Sequence, residues 1–187
     1  MTTRYEIRLA GSGGQGLILA GIILAEAAGV YDGKFVCQTQ SYGPEARGGA
    51  SKAEVVISDG EIDYPKAIRP DVLLAMNQKS LEAFSSDLKP GGLLLVDADL
   101  VKEAPASRVL ALPFTRIARE LGRAMAANIV ALGALIQLTG AVSLESLEAA
   151  VLARVPGGTE ELNRQALAAG VAAAQAMSPG SPGEESD

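Results

Sequence analysis

Short apolar runs alternate with longer apolar-rich ones along most of the chain, and that alternation predicts strands alternating with helices. Residues 5–10 read as a first strand. Residues 17–29, dense in Leu, Ile and Ala, read as the helix that follows, with Gly29 as its stop. A second strand is predicted over residues 35–40, with Phe35, Val36 and Cys37 at its apolar start. Residues 51–58 alternate polar and apolar and form a third, ended by the turn signal Asp59-Gly60. Behind Pro70-Asp71, residues 72–76 are continuously apolar, as in a parallel strand buried on both faces, with Asn77 at its carboxyl end. A helix over 78–88 ends at Lys89-Pro90-Gly91-Gly92. Strands follow over 93–96, finishing in Asp97, and over 108–112, ended by Pro113.

The remaining pattern is helical. Thr115 is placed to cap a helix over 116–125, with Ile117, Leu121 and Met125 on one face. Residues 126–138 continue helical up to Gly140, Ser143 caps 144–154, and Thr159 caps 160–177. Together these elements predict a single α/β domain over residues 1–177, with a mostly parallel sheet flanked by helices. Residues 178–187 hold Pro, Gly, Ser and acids without an apolar anchor and are expected to form a disordered tail.

The densest punctuation separates the first strand from its helix: Gly11-Ser12-Gly13-Gly14-Gln15-Gly16. Strand, tight turn and buried helix follow in the order of a nucleotide-binding, Rossmann-like unit, and Gly11, Gly13 and Gly16 fit G-x-G-x-x-G. Such glycines permit a tight turn, close approach of backbone to ligand, and close packing of helix on strand. A helix start also directs free N–H groups at an anion. The plain alternative is a turn that only lets the helix pack closely. A second peculiar stretch, Ser41-Tyr42-Gly43-Pro44-Glu45-Ala46-Arg47-Gly48-Gly49-Ala50, cannot be regular structure. It follows the carboxyl end of a strand and is expected near the glycine turn, where open α/β sheets bind ligands.

Several chemistries are disfavoured by what the chain lacks. An ordinary NAD-binding unit places an acid about 20 residues past the glycines. Here that region reads Cys37-Gln38-Thr39-Gln40-Ser41. No Gly-Lys-Ser/Thr follows the glycines, so a P-loop is out. With no His, imidazole zinc sites and a His general base are excluded. A single cysteine, Cys37, is too few for a cluster that needs about four thiolates, and reads as an inert core residue of an apolar strand. The net charge of −6 without a basic cluster argues against nucleic acid. No leader and no apolar run long enough to span a bilayer is evident, so a cytoplasmic protein is expected.

Taken together, Gly11-Ser12-Gly13-Gly14-Gln15-Gly16, the helix containing Ala20-Gly21, the stretch Gln40–Gly49, and Asn128-Ile129-Val130-Ala131-Leu132-Gly133 resemble the gamma subunit of 2-oxoacid:ferredoxin oxidoreductases. The resemblance covers about residues 4–175 in family order. It favours the 2-oxoglutarate type, with pyruvate and branched-chain 2-oxoacid types behind. It implies a non-catalytic subunit in a complex that decarboxylates a 2-oxoacid on thiamine diphosphate and magnesium. The acyl group then passes to coenzyme A, and electrons pass through iron–sulfur clusters to ferredoxin. Implied partners are alpha and beta subunits and, where present, a ferredoxin-like delta subunit; no cofactor is expected on this chain alone. Gly11, Gly13, Gly14, Gln15, Gly16, Tyr42, Gly43, Glu45, Arg47, Gly48 and Gly49 are the expected surface toward coenzyme A or a partner, Gly13, Gly14 and Gln15 as donors and Arg47 as a charge. Two other readings stand beside it: a free-standing dinucleotide-binding protein, and an assembly subunit without a ligand.

Overall fold

A computed structural model describes residues 3–42, 50–105 and 109–177. Six strands form one sheet in the order β2-β3-β1-β4-β5-β6. They are β1 (Arg4–Ser12), β2 (Phe35–Ser41), β3 (Ala50–Ser58), β4 (Val72–Ala75), β5 (Leu93–Asp97) and β6 (Val109–Leu112). Between and after them come α1 (Leu17–Glu26), α2 (Gln78–Phe84), α3 (Phe114–Glu120), α4 (Ala127–Thr139), α5 (Leu144–Arg154) and α6 (Glu160–Met177). β1, β4, β5 and β6 pair in parallel. β3 runs antiparallel to both β1 and β2 and separates them, with Ile7 opposite Val55 and Leu9 opposite Ala53. The mostly parallel sheet is as expected; the antiparallel strand β3 between β1 and β2 is not. Ala53, Val55 and Ile57 face one layer while Lys52 and Glu54 face the other, a pattern suited to antiparallel pairing.

The two faces of the sheet are covered differently. Ile7, Leu9, Val55, Val72, Leu74 and Leu95 point into the main aliphatic core, closed by α1, α3, α4, α5 and α6. Ala10, Leu73, Ala75, Leu94 and Val96 form a smaller core with Leu81 of α2 and with Val101. Beside it lies a charged network that hydrophobic patterning could not announce. Arg8, only 3% exposed, donates through Nε to Glu54 (2.9 Å), through Nη1 to Asp87 (2.5 Å) and through Nη2 to the Ala67 carbonyl (3.1 Å). Lys52 Nζ also donates to Glu54 (2.8 Å), and both cations lie over the Phe84 ring. A buried charge with this many partners is held in one geometry, and removing one partner strands the rest.

Several element ends differ from expectation. α1 closes at Glu26 and passes into a π-helical turn, Ala27–Tyr31, rather than stopping at Gly29. Gly29 sits inside that turn, where a Cβ would lie 2.6 Å from Val36 Cγ1. α3 begins at Phe114, so Thr115 lies within its first turn; the Thr115 hydroxyl donates to Asp97 (2.5 Å) instead of capping. The expected helix over 116–125 is broken at Gly122 (φ 88°), which leaves Met125 74% exposed rather than on a buried face. Ser143 caps α5 as expected, accepting from Ser146 N (3.1 Å). Before α6, the Thr159 hydroxyl donates to the Pro156 carbonyl (2.7 Å), and its oxygen receives the Asn163 side chain (3.1 Å), not a helix N–H. Phe35 is half-exposed and Cys37 only half-buried, because β2 is an edge strand and not a core strand. The expected tail, residues 178–187, lies outside the described residues.

α4 is buried from Ala127 to Ile136, so it shows no polar stripe. It packs closely on α6 because both helices are thinned at the contact. A Cβ on Gly133 would run into the Leu167 carbonyl, and one on Gly170 into the Val130 carbonyl. Backbone cannot retreat as a side-chain end can. Gly170→Ala is therefore expected to destabilise the protein by about 1–3 kcal/mol, despite a gain in helix propensity, in urea denaturation. A loss near zero would mean that α6 shifts freely.

Asp97, fully buried at the end of β5, accepts from Thr115 N (3.2 Å), Thr115 Oγ1 and Asp99 N (3.0 Å). Burial pushes its pKa above the ordinary 3.8 and prevails over the hydrogen bonds that act to lower it. The folded chain thus holds this proton to higher pH than the unfolded chain. Asp97's contribution to stability falls as pH rises from 3.8 through the raised value, then levels. Asp97→Asn should remove that falling component from a stability–pH curve; parallel curves for the two proteins would contradict this.

Candidate functional site

The turn between β1 and α1 is closed by side chains as well as backbone. Gln15 N donates to the Ser12 carbonyl (3.0 Å), and Ser12 N donates back to Gln15 Oε1 (2.8 Å). Gln15 Nε2 donates to the Met76 carbonyl (3.0 Å), and Asn77 Nδ2 donates to Gln15 Oε1 (3.1 Å). Asn77 Oδ1 in turn accepts from Ser80 N (2.9 Å) and caps α2. One glutamine thus ties together the ends of β1 and β4 and the start of α2. The sequence suggested a donor for a ligand; the structure places that amide inward, on the protein itself.

Gly16 occupies the left-handed region (φ 71°) and its carbonyl accepts from Ala20 N (3.0 Å) and from Asn128 Nδ2 (3.1 Å). Asn128 is buried near the start of α4 and fastens the turn from the other side. Only its place in a motif marked it in the sequence; its contact with Gly16 spans 112 positions and left no local signal.

The glycines divide into two classes. A Cβ at Gly11 would sit 2.6 Å from Gln15 Oε1 and 2.8 Å from Leu17 Cδ2; at Gly16 it would sit 2.6 Å from Asn128 Nδ2. Both serve the chain's own packing. Gly13 and Gly14 are exposed, lack a positive φ, and an added Cβ at either meets nothing within 4 Å among the described residues. Among the described residues neither conformation nor internal space calls for glycine there. The bare backbone is a surface feature.

Tyr42 leaves β2 68% exposed, at the same end of the sheet as the turn: Ser41 is opposite Lys52, Gly11 opposite Ser51, and Ser12 opposite Ala50. Ser51 Oγ donates to the Gly11 carbonyl (3.2 Å). The connection that carries Gly43, Glu45, Arg47, Gly48 and Gly49 lies outside the described residues, but Tyr42 and Ala50 fix where it starts and ends. On the other side of the turn, a groove of about 200 Å³ runs from Gly14 between Leu19, Met125, Asn128 and Pro156, with Arg123 at its rim. A larger cavity of about 470 Å³, lined by Tyr5, Asp71 and Lys89, opens by the residues where β1 and β5 begin, away from this turn. No group of three metal-ligating side chains occurs among the described residues. The turn offers backbone donors and apolar contact, suited to binding rather than to bond-making.

Because Gln15 holds three elements, Gln15→Leu should leave Ser12 N and the Met76 carbonyl without partners and cost about 1–3 kcal/mol. Asn128→Ala should cost less, since the Gly16 carbonyl keeps Ala20 N. Urea denaturation of both variants checks the order; equal losses would contradict the assignment of Gln15 as the principal tie.

Comparison with known proteins agrees with this geometry. Residues 6–173 match the family described as pyruvate ferredoxin/flavodoxin oxidoreductase. The chain is 54% identical over 179 residues to 2-oxoglutarate synthase subunit KorC of Methanocaldococcus jannaschii, covering 93% of this chain and 96% of the relative. Its structure is similar to the keto/oxoacid ferredoxin oxidoreductase gamma subunit from Geobacter sulfurreducens, with a TM-score of 0.86, 54% identity, and 93% and 98% of the two chains covered. It is also similar to 2-oxoglutarate:ferredoxin oxidoreductase from Magnetococcus marinus, solved with 2-oxoglutarate, coenzyme A and succinyl-CoA bound. There the TM-score is 0.82 at 27% identity, over 96% of this chain and 32% of that one. With the family pattern spanning nearly all of its domain, the chain belongs to the pyruvate ferredoxin/flavodoxin oxidoreductase family, among the gamma subunits of 2-oxoacid:ferredoxin oxidoreductases.

Proposed function

We propose that the chain is the gamma subunit of a 2-oxoglutarate:ferredoxin oxidoreductase and lends its glycine turn to the surface at which the complex handles coenzyme A. The single observation that carries this reading is the pair Gly13 and Gly14, bare where no described residue presses on them. Backbone N–H groups at a helix start suit a phosphate group, and coenzyme A is the phosphate-bearing ligand named for the Magnetococcus marinus enzyme. The 2-oxoglutarate assignment rests on the names of the similar proteins. Arg47, on the connection between β2 and β3, supplies the charge in this reading.

Thiamine diphosphate and iron–sulfur clusters supply decarboxylation and electron transfer in such complexes. One thiol and no imidazole do not fit a cluster site here, so these groups are assigned to alpha, beta and, where present, delta subunits, with ferredoxin as acceptor and the cytoplasm as location. No helix among the described residues is long and apolar enough to cross a membrane. A second reading, assembly without a ligand, is favoured by the exposed Met125 and Leu19 beside the turn.

Gly14→Leu separates the two. Stability of the isolated chain should stay within about 0.5 kcal/mol, because a Cβ at this position meets none of the described residues. In the complex purified with its companion subunits, 2-oxoglutarate-dependent dye reduction should show a KM for coenzyme A raised about tenfold, or about 1.4 kcal/mol. Failure of the variant to assemble would instead support the ligand-free reading. Normal assembly with an unchanged KM would contradict the coenzyme A assignment.

A further inference from the structure

The ends of β2 and β3 nearest the glycine turn border a pocket of about 240 Å³, lined by Thr39, Gln40, Ser41, Lys52, Glu54 and Lys66. All six side chains are polar or charged. Lys52 stands opposite Ser41 on one side and opposite Ala10 of β1 on the other. The pocket therefore lies one strand away from the residue that precedes Gly11.

Its charge runs against that of the chain, which is −6. Glu54, the one carboxylate in the lining, is already met by Arg8 Nε (2.9 Å) and Lys52 Nζ (2.8 Å), and it accepts from the Thr39 hydroxyl (3.3 Å). Lys66 is exposed, and its ammonium joins no ion pair among the described residues. The backbone beneath it is fixed all the same. The Lys66 carbonyl accepts from Arg4 Nη2 (2.8 Å), and the Ala67 carbonyl accepts from the buried Arg8 (3.1 Å). With Asp87 as the second carboxylate of the network, Arg8, Lys52 and Lys66 set three cations against two anions. An unpaired ammonium on a fixed segment, beside a hydroxyl and a carboxylate already neutralised, suits an anion.

The strand order selects which anion. In a dinucleotide-binding unit an acid reads the free hydroxyls of the ribose, and an arginine accommodates a phosphorylated one. Here the strand beside β1 is β3, and near the turn it presents Lys52 rather than an acid. Coenzyme A carries a phosphate on its ribose, and its diphosphate hangs from the same sugar. Ser41 is two strands from β1, about 10 Å, so a ligand with its diphosphate over Gly13 and Gly14 extends its ribose toward this pocket. We propose that the pocket takes the ribose phosphate of coenzyme A, with Lys66 and Lys52 as its charges and the Ser41 hydroxyl as a further donor. A phosphate monoester carries about −1.5 to −2 at neutral pH, enough to engage both ammonium groups. The proposal rests on the coenzyme A reading of the glycine turn and adds a means of choosing coenzyme A over its dephosphorylated form.

The test uses the complex purified with its companion subunits, and compares coenzyme A with dephospho-coenzyme A in 2-oxoglutarate-dependent dye reduction. The unaltered enzyme should show a KM for dephospho-coenzyme A about tenfold above that for coenzyme A. Lys66→Gln should raise the KM for coenzyme A about tenfold and leave that for dephospho-coenzyme A in place, so that the preference is lost. Its circular-dichroism melt should match that of the unaltered chain, and Lys66→Arg should keep the preference. An enzyme that does not distinguish the two forms would overturn the inference. So would a Lys66→Gln enzyme that keeps the full preference, or one in which both KM values rise together. Gly14→Leu reports on the turn and not on the preference. If it raises the KM while the Lys66 variants leave the preference intact, the coenzyme A reading stands and only the ribose-phosphate pocket falls.

Discussion

Everything near the proposed binding surface depends on how Gln15 resolves a backbone problem. Where β1 gives way to α1 the chain must reverse within a few residues, at a point hemmed in by β4 and α2. The buried polar groups there need partners, since each one left alone costs about 1–3 kcal/mol. Gln15 answers from both ends of one amide: its oxygen receives Ser12 N and Asn77 Nδ2, and its nitrogen reaches the Met76 carbonyl. Asn128 adds a second tie through the Gly16 carbonyl. With the turn held from inside by side chains, its outer backbone has no structural duty and is free to face a ligand or partner. Rigidity underneath and bareness above are the two properties a preorganised binding loop needs.

The same division explains why the chain carries so little chemistry of its own. Its buried Arg8 and Asp97 have structural occupations: Arg8 with Glu54 and Asp87 fixes the short helical turn after α2, and Asp97 with Thr115 fixes the start of α3. Among the described residues no nucleophile is paired with a base at the turn. In the proposed reading the domain contributes shape and backbone donors to an assembly. The chain is similar to about a third of the length of the Magnetococcus marinus chain.

Patterning read the elements of the sheet well because each parallel strand is a compact apolar run, and Val72–Ala75 and Leu93–Asp97 show it most plainly. It did not foresee that β3 enters between β1 and β2, since strand order is decided by which apolar faces meet across long separations. Helix ends were less legible where tertiary contact overrode local preference. Thr115 looked like a cap but its hydroxyl is claimed by a buried carboxylate from another strand, and Gly122 broke a helix whose apolar spacing otherwise continued. Within the site, the glycine motif was visible at once, yet its internal division was not. Gly11 and Gly16 are required by Gln15, Leu17 and Asn128, whereas no described residue presses on Gly13 or Gly14. Gln15 was singled out as a donor to a ligand, and its side-chain amide is bound within the protein.

The central claim, that this buttressed turn faces coenzyme A in the assembled enzyme, is tested most directly by amide hydrogen exchange on the intact complex. The account predicts that adding coenzyme A slows exchange of the peptide spanning Gly13 to Gly16, while peptides in α5, on a different part of the fold, keep their rates. Equal exchange in that turn with and without coenzyme A, at concentrations that saturate turnover, would contradict it.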